Sequence, residues 1–316
     1  MTEAVKKDLR EHSKFAETNE NPAIKERLET LAATRFVDWR TAAEAGLPEG
    51  QVLLGTCLYY GTGIPKDHEE SYKWYRKAAE QGNAEGQYRL SFCYFDGIGA
   101  PKDKEEWVKW LRKAAEQKHA GAQCNLGVCY LLGEGVSQDV TEGMKWLRKA
   151  VEQGNANAQR QFGVCYFDGI GVPEDKKEAV EWFRKAAEQG EAGAQAYLGR
   201  CYHEGLGVDE DTEEAVKWYR KSAEQGYANA QCVLGECYGK GIGVPEDQEE
   251  GIKWIRKAAA QGHVEALQFL KPPKTMAEIL KEIEEQKNKT KSAPKTSSKG
   301  SALFDQLSTP SSTLLK

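Results

Sequence analysis

The chain has 316 residues, a net charge of −5 and a pI near 5.8. That acidic balance argues against nucleic acid as the main partner, since phosphate binding calls for a basic face. No run of about 20 apolar residues occurs, so no conventional membrane-spanning helix is expected.

The opening stretch, MTEAVKKDLREHSK, has no apolar core and does not read as a secretory signal. The expected compartment is therefore the cytoplasm, although export by a route without a signal would leave no mark. Residues 1–46 read as an N-terminal helical cap or half-repeat. Ile24, Leu28, Leu31 and Phe36 supply an amphipathic face, and Trp39 lies 35 residues before Trp74.

Residues 47–271 then repeat with a period of 36, set by Trp74, Trp110, Trp146, Trp182, Trp218 and Trp254. A fixed period of this size marks a stacked repeat protein, which grows by adding units to a one-dimensional array. Each unit holds two apolar-periodic stretches around a glycine-rich break. These stretches are too short to be stable alone and read as an antiparallel pair, helix A and helix B.

Helix A ends in paired glycines, from Gly61/Gly63 to Gly241/Gly243. They suit a left-handed stop and chain reversal; none completes a dinucleotide or phosphate-loop motif. Helix B opens on a capping box in every copy, from Asp67/Glu70 to Asp247/Glu250. Within helix B, Trp followed four residues later by Ala reads as core packing at a close helix approach. Gly82, Gly154, Gly190, Gly226 and Gly262 follow helix B at the position where a left-handed residue ends a helix. Lys118 takes that position in one copy and should cost stability there.

Six of the eight Cys, Cys57, Cys93, Cys129, Cys165, Cys201 and Cys237, share the 36-residue spacing and read as small buried hydrophobes. Neighbouring copies on successive helices would stand about 10 Å apart, too far for an unstrained disulfide. No C-x-x-C pair occurs, so no metal site is expected. Residues 272–288 read as a C-terminal capping helix after Pro272 and Pro273. Residues 289–316 read as a disordered, basic, Ser/Thr-rich tail with five Lys and one Asp.

Ala194, Leu198, Gly199, Tyr202, Gly205, Gly207, Val208, Asp211, Ala215, Trp218 and Ala223 show one full copy of the pattern. On these residues the chain resembles the Sel1-like repeat family, relatives of the tetratricopeptide repeats. The resemblance implies an all-α fold: a right-handed α/α superhelical solenoid of about six 36-residue two-helix repeats with helical caps. It also implies a role in binding partner proteins. A cysteine-rich, secreted branch of the family is linked to β-lactam binding and weak β-lactam hydrolysis. That branch pairs Cys across each repeat, whereas this chain has Ala78, Ala79, Ala114 and Ala115 at the end of helix B. Only Cys124 and Cys232 fall near the other place, so the disulfide framework is missing.

With the recurring positions set aside, a variable stripe remains on helix A. It comprises Arg89, Phe92, Phe95, Asp96, Asn125, Val128, Leu131, Leu132, Gln161, Val164, Phe167, Tyr197, Arg200, His203, Glu236 and Lys240. Residues at i, i+4 and i+7 share a helix face. By analogy with related solenoids this face is concave, with an apolar middle and a charged far end. The expected ligand is a partner peptide or helix lying in that groove. The alternative is that these side chains pack between helices.

A catalytic constellation does not assemble. The five His read as scattered over different repeat positions, and the only S-x-x-K, Ser292 to Lys295, lies in the tail. The reading is a protein-binding adaptor without chemistry of its own, with no cofactor and no metal; oligomeric state stays open.

Overall fold

The computed structural model describes residues 35–270. The N-terminal cap up to residue 34, the capping helix at 272–288 and the tail at 289–316 therefore lie outside the described residues. Within them every regular element is helical. A helical stretch over 35–44 leads into six antiparallel pairs. They are α1 (Pro48–Tyr60) with α2 (His68–Glu80), α3 (Ala84–Asp96) with α4 (Lys104–Glu116), and α5 (Ala120–Leu132) with α6 (Val140–Glu152). Next come α7 (Ala156–Asp168) with α8 (Lys176–Glu188), α9 (Ala192–Glu204) with α10 (Thr212–Glu224), and α11 (Ala228–Lys240) with α12 (Gln248–Ala260). A short α13 (Val264–Phe269) follows. The chain divides into two compact units, one ending at Ala194 and the other starting at Gln195.

The Asp half of each capping box forms. Asp67 accepts from the Glu70 N–H at 2.9 Å, and Asp103, Asp139, Asp175, Asp211 and Asp247 repeat the bond. Each such cap contributes about 1 kcal/mol. The Glu half turns away from the box. Glu70, Glu106, Glu142, Glu214 and Glu250 pair with the Lys three residues on, and Glu106 and Glu178 accept the indole N–H of Trp110 and Trp182.

The Trp ladder is architecture, but it is not the deepest layer of the core. The most enclosed large side chain of helix B is the one after the Trp: Tyr75, Leu111, Leu147, Phe183, Tyr219 and Ile255 are all at most 2% exposed. Trp74, Trp182 and Trp218 are only half-buried. The rings act as seams between repeats: Trp110 packs with Tyr75 and Leu90, and Trp254 with Tyr219 and Leu234. The outer face of each indole is covered by the ammonium of the Lys three residues on, at 3.6–4.0 Å from the ring centre. Each such contact contributes roughly 0.5–1 kcal/mol.

Helix A comes close because it carries glycine opposite that deepest side chain. A Cβ at Gly199 would lie 2.8 Å from the Tyr219 ring. A second tie is polar. The amide of each helix-B end Gln donates to a helix-A Gln thirty residues earlier: Gln81 to Gln51, Gln117 to Gln87, Gln153 to Gln123, Gln189 to Gln159, Gln225 to Gln195 and Gln261 to Gln231, at 2.7–2.8 Å. Gln87, Gln123 and Gln231 in turn donate to a carbonyl at the end of the preceding helix B. These bonds satisfy buried amides and hold the antiparallel pairs in register.

All eight Cys are buried and free. Lys118 adopts φ +66°, the one non-glycine residue with positive φ among those described, where the glycine copies have φ +76° to +93°.

Candidate partner-binding surface

In the first unit α3, α5 and α7 carry the predicted stripe, and the structure splits it. Arg89, Leu131, Gln161, Val164 and Phe167 are buried. They belong to the interior, which corrects the expectation that they line an open groove. Helix A is flanked by two helix-B neighbours, so its apolar band is wider than one face. Leu131 packs with Met144 and Leu147, and the Phe167 ring lies 6.1 Å from that of Phe183.

Phe92, Asn125, Val128 and Leu132 remain half-buried, and Phe95 and Asp96 are exposed. Phe92 meets Tyr88 edge-on at 4.9 Å, and the Asn125 amide donates to the Tyr88 hydroxyl at 3.4 Å. Phe95 leans on Trp107 at 4.6 Å while keeping 39% of its surface exposed. Partial burial, offset in part by Lys102, pushes the Asp96 carboxyl above its usual range. The outcome is partly open apolar side chains on α3 and α5, with the Asp96 carboxyl at the end of α3.

A buried charge cluster lies on α3 and at the start of α5. Arg89 Nε donates to Glu85 Oε1 at 2.6 Å, and His119 Nε2 meets Glu85 Oε2 at 2.8 Å. His119 also caps α5, its Nδ1 accepting from the Ala122 N–H at 3.1 Å. The cap makes Nδ1 the acceptor, so Nε2 carries the proton and donates to Glu85. Burial works to raise the Glu85 carboxyl, but Arg89 and His119 outweigh it and hold it below its usual range. These internal bonds tie α3 to the start of α5.

His119 and His263 occupy the same repeat position, four repeats apart, and both cap the following helix. The five His are therefore not all at different positions, as the linear reading had them. Asn83 and Asn155 cap from the same place, which is the signal that could have exposed the error.

In the second unit α9 and α11 carry Tyr197, Arg200, His203, Glu236 and Lys240. Arg200 pairs with Glu204 at 3.1 Å and Lys240 with Glu236 at 2.9 Å, so much of the expected charge is answered locally. Tyr197 and Arg200 line a recess with side chains of α10 and α11. Among the described residues one group has metal-ligand atoms close together: Cys232, His263 and Glu265, all within 4.8 Å. Burial pushes the Cys232 thiol up to about 12. Both ring nitrogens of His263 are engaged, Nε2 with Asn229 at 2.6 Å and Nδ1 with the Ala266 N–H at 3.3 Å. A metal there would have to displace one of these two bonds.

No helix among the described residues is long and apolar enough to cross a membrane.

Against known proteins, the Sel1 repeat model matches residues 48–83, 84–119, 120–155, 156–191, 192–227 and 228–263. No curated protein matches the chain. Among solved structures, a Sel1 repeat protein from Oxalobacter formigenes is 37% identical, with a TM-score of 0.62 over 67% of this chain and 84% of that one. A protective antigen with the SLR fold, present in uropathogenic Escherichia coli strains, is 32% identical, with a TM-score of 0.57 over 83% of this chain and 58% of that one. An immunity protein from Pseudomonas aeruginosa shares the fold at 21% identity and a TM-score of 0.50, over 66% of this chain and 83% of that one. Sel1 repeat proteins generally mediate protein–protein interaction and are typically scaffolds without catalysis. Six matched repeats, each beginning at helix A and running through helix B to the next cap, place the chain in the Sel1 repeat family.

Proposed function

We propose that the protein is a non-catalytic adaptor that holds a partner peptide or helix against its helix-A surface. The observation that carries this reading is the partly open placement of the apolar side chains Phe92, Phe95, Val128 and Leu132 on α3 and α5, with Phe95 39% exposed. Apolar anchors of this kind suit the spaced side chains of an amphipathic helix. Asp96 at one end favours a basic group on the partner.

The test compares the full chain with a Phe92→Asp/Val128→Asp variant. Both are used as bait in native lysate, and their helical circular dichroism and melting are recorded alongside. Loss of the captured partner with helicity retained supports the reading. Retention of the partner removes this surface from consideration. Global unfolding would show that these two side chains serve the core.

A further inference from the structure

We propose that Cys232, His263 and Glu265 form a binding site for a borderline-soft divalent cation, best met by zinc, which clips α13 to the last repeat. The ligand atoms of the three side chains all lie within 4.8 Å of one another. Cys232 sits in the first half of α11, His263 caps α13, and Glu265 is the second residue of α13. His263 and Glu265 follow Cys232 by 31 and 33 residues, so no short ligand spacing marks the set.

The same three places recur at every junction between repeats, and only the last junction fills all three with metal ligands. In the third repeat they read Cys124, Asn155 and Asn157. The first two places of a set face each other. The Tyr88 ring packs on His119 at 4.4 Å, and Arg160 pairs with Glu191 at 3.2 Å. At the last junction a thiol and an imidazole take that contact, and a carboxylate joins them.

Thiolate, imidazole and carboxylate together favour zinc over magnesium or calcium, which take oxygen ligands. Zinc bonds of about 2.0–2.3 Å put neighbouring donors roughly 3.3–3.8 Å apart. Glu265 is exposed, and a rotation of its side chain closes the remaining distance. That exposure also opens the cluster to solvent, so an ion needs no cavity to reach it. The Glu265 carboxylate and the Cys232 thiol form no hydrogen bond or ion pair among the described residues. His263 gives up one bond. Taken at Nδ1, the ion replaces the 3.3 Å contact with the Ala266 N–H, the longer of the two. The Nε2–H bond to Asn229 at 2.6 Å then stays and orients the ring, as outer-shell acceptors do for metal-bound histidines. Water completes the four-coordinate shell, and the Cys232 thiol proton leaves to solvent because the ion binds the thiolate.

A clip has its largest effect at this place in the array. Helix α13 has six residues, and its Val264, Leu267 and Phe269 side chains are all exposed. A helix this short has little stability of its own. A cation held jointly by α11 and α13 binds only the docked arrangement, and so stabilises it.

The test uses the full chain, stripped with a chelator and titrated with cobalt(II), then with zinc(II) in competition. One equivalent of cobalt should give a near-ultraviolet sulfur-to-cobalt band and the visible bands of a four-coordinate ion, and zinc should remove both. Cys232→Ala should lose the near-ultraviolet band, whereas Cys124→Ala, at the same place in the third repeat, should keep it. His263→Asn retains a helix cap of the kind that Asn83 and Asn155 form. It should weaken cobalt binding at least about 100-fold, beyond the roughly 10–100-fold that outer-shell changes cost. Ala196 already stands at the Cys232 place in the fifth repeat, so neither variant brings in a residue foreign to its position. Circular dichroism checks that each folds, and His263→Asn carries the affinity readout should Cys232→Ala not fold. Zinc should slow hydrogen exchange in α13 of the wild type and leave that of Cys232→Ala unchanged. The site is overturned by no sulfur-to-cobalt band at millimolar cobalt, a band kept in Cys232→Ala, or unchanged affinity in His263→Asn. Unchanged exchange in α13 on zinc binding overturns the clip.

Discussion

Lys118 is the sharpest place to test the account of repeat stability. It sits at the left-handed end of α4 with φ +66°, and the turn is otherwise identical to its glycine copies. The Lys118 N–H bonds the Ala115 carbonyl at 3.0 Å and the His119 N–H bonds that of Ala114 at 3.1 Å. At Gly154 the matching bonds reach Val151 at 2.8 Å and Ala150 at 3.2 Å. Hydrogen bonding therefore does not distinguish the two turns. Space does not either, since a Cβ at Gly82, Gly154, Gly190, Gly226 or Gly262 would meet nothing within 4 Å. What remains is backbone conformation. A left-handed L-residue costs roughly 1–2 kcal/mol. Replacing it by glycine returns that, less the extra unfolded-state entropy of glycine, about 0.5–1 kcal/mol. Lys118→Gly should thus stabilise the first unit by about 0.5–1 kcal/mol, a rise of a few degrees in melting temperature. Gly154→Lys should destabilise by a similar amount. Urea titration and calorimetry of the full chain measure both, with local hydrogen exchange around α4 and α5 as a check on partial unfolding of the array. A melting temperature that falls in Lys118→Gly would refute the reasoning, since it would mean that the lysine side chain itself stabilises the turn.

Gly243→Ala should be far more damaging than Gly154→Ala, because its Cβ would lie 2.1 Å from the Thr212 carbonyl oxygen; calorimetry of the two variants ranks them. Arg89→Met should cost about 3–5 kcal/mol in urea unfolding at neutral pH, because it strands the buried Glu85 carboxylate. The folded protein holds the Glu85 carboxyl below its usual range, burial being outweighed by Arg89 and His119. That contribution is complete above the ordinary carboxylate value and is lost as pH falls through the lower folded one, so the stability gap between wild type and Glu85→Gln should shrink in acid. The thiols of Cys57, Cys93, Cys124, Cys129, Cys165 and Cys232 are pushed up to about 12, chiefly by burial. A thiol reagent should label them slowly in the native protein and rapidly in denaturant; fast native labelling would contradict the enclosed placement. Val164→Asp, at a site 1% exposed, should unfold its repeat, whereas Phe92→Ser should leave the melting temperature within a few degrees.

Much of the fold is legible from local rules because each repeat spells out its own boundaries. The Asp caps, the glycine stops and the strained Lys118 depend only on backbone groups within a few residues, and the linear pattern is enough to place them. The family resemblance rests on the same positions. The variable stripe on helix A is less legible. Periodicity placed Phe92, Val128 and Val164 on helix A, but it could not say how many neighbours each would meet. The structure encloses Val164 and leaves Phe92 and Val128 half open. The Trp positions show the same limit, since their spacing was plain while their place at the seams, under lysine ammonium groups, was not.

The sequence by itself therefore determined the period, the helix ends and the free, buried state of the cysteines. Those features follow from hydrogen-bonding groups, backbone freedom and hydrophobic spacing carried within one repeat. Only the tertiary structure decided which variable positions stay open, which His, Glu and Arg meet in the interior, and that the Tyr219 hydroxyl is left without a partner. The His119–Glu85 and Asn125–Tyr88 contacts join residues 34 and 37 positions apart in the chain, which no local pattern encodes.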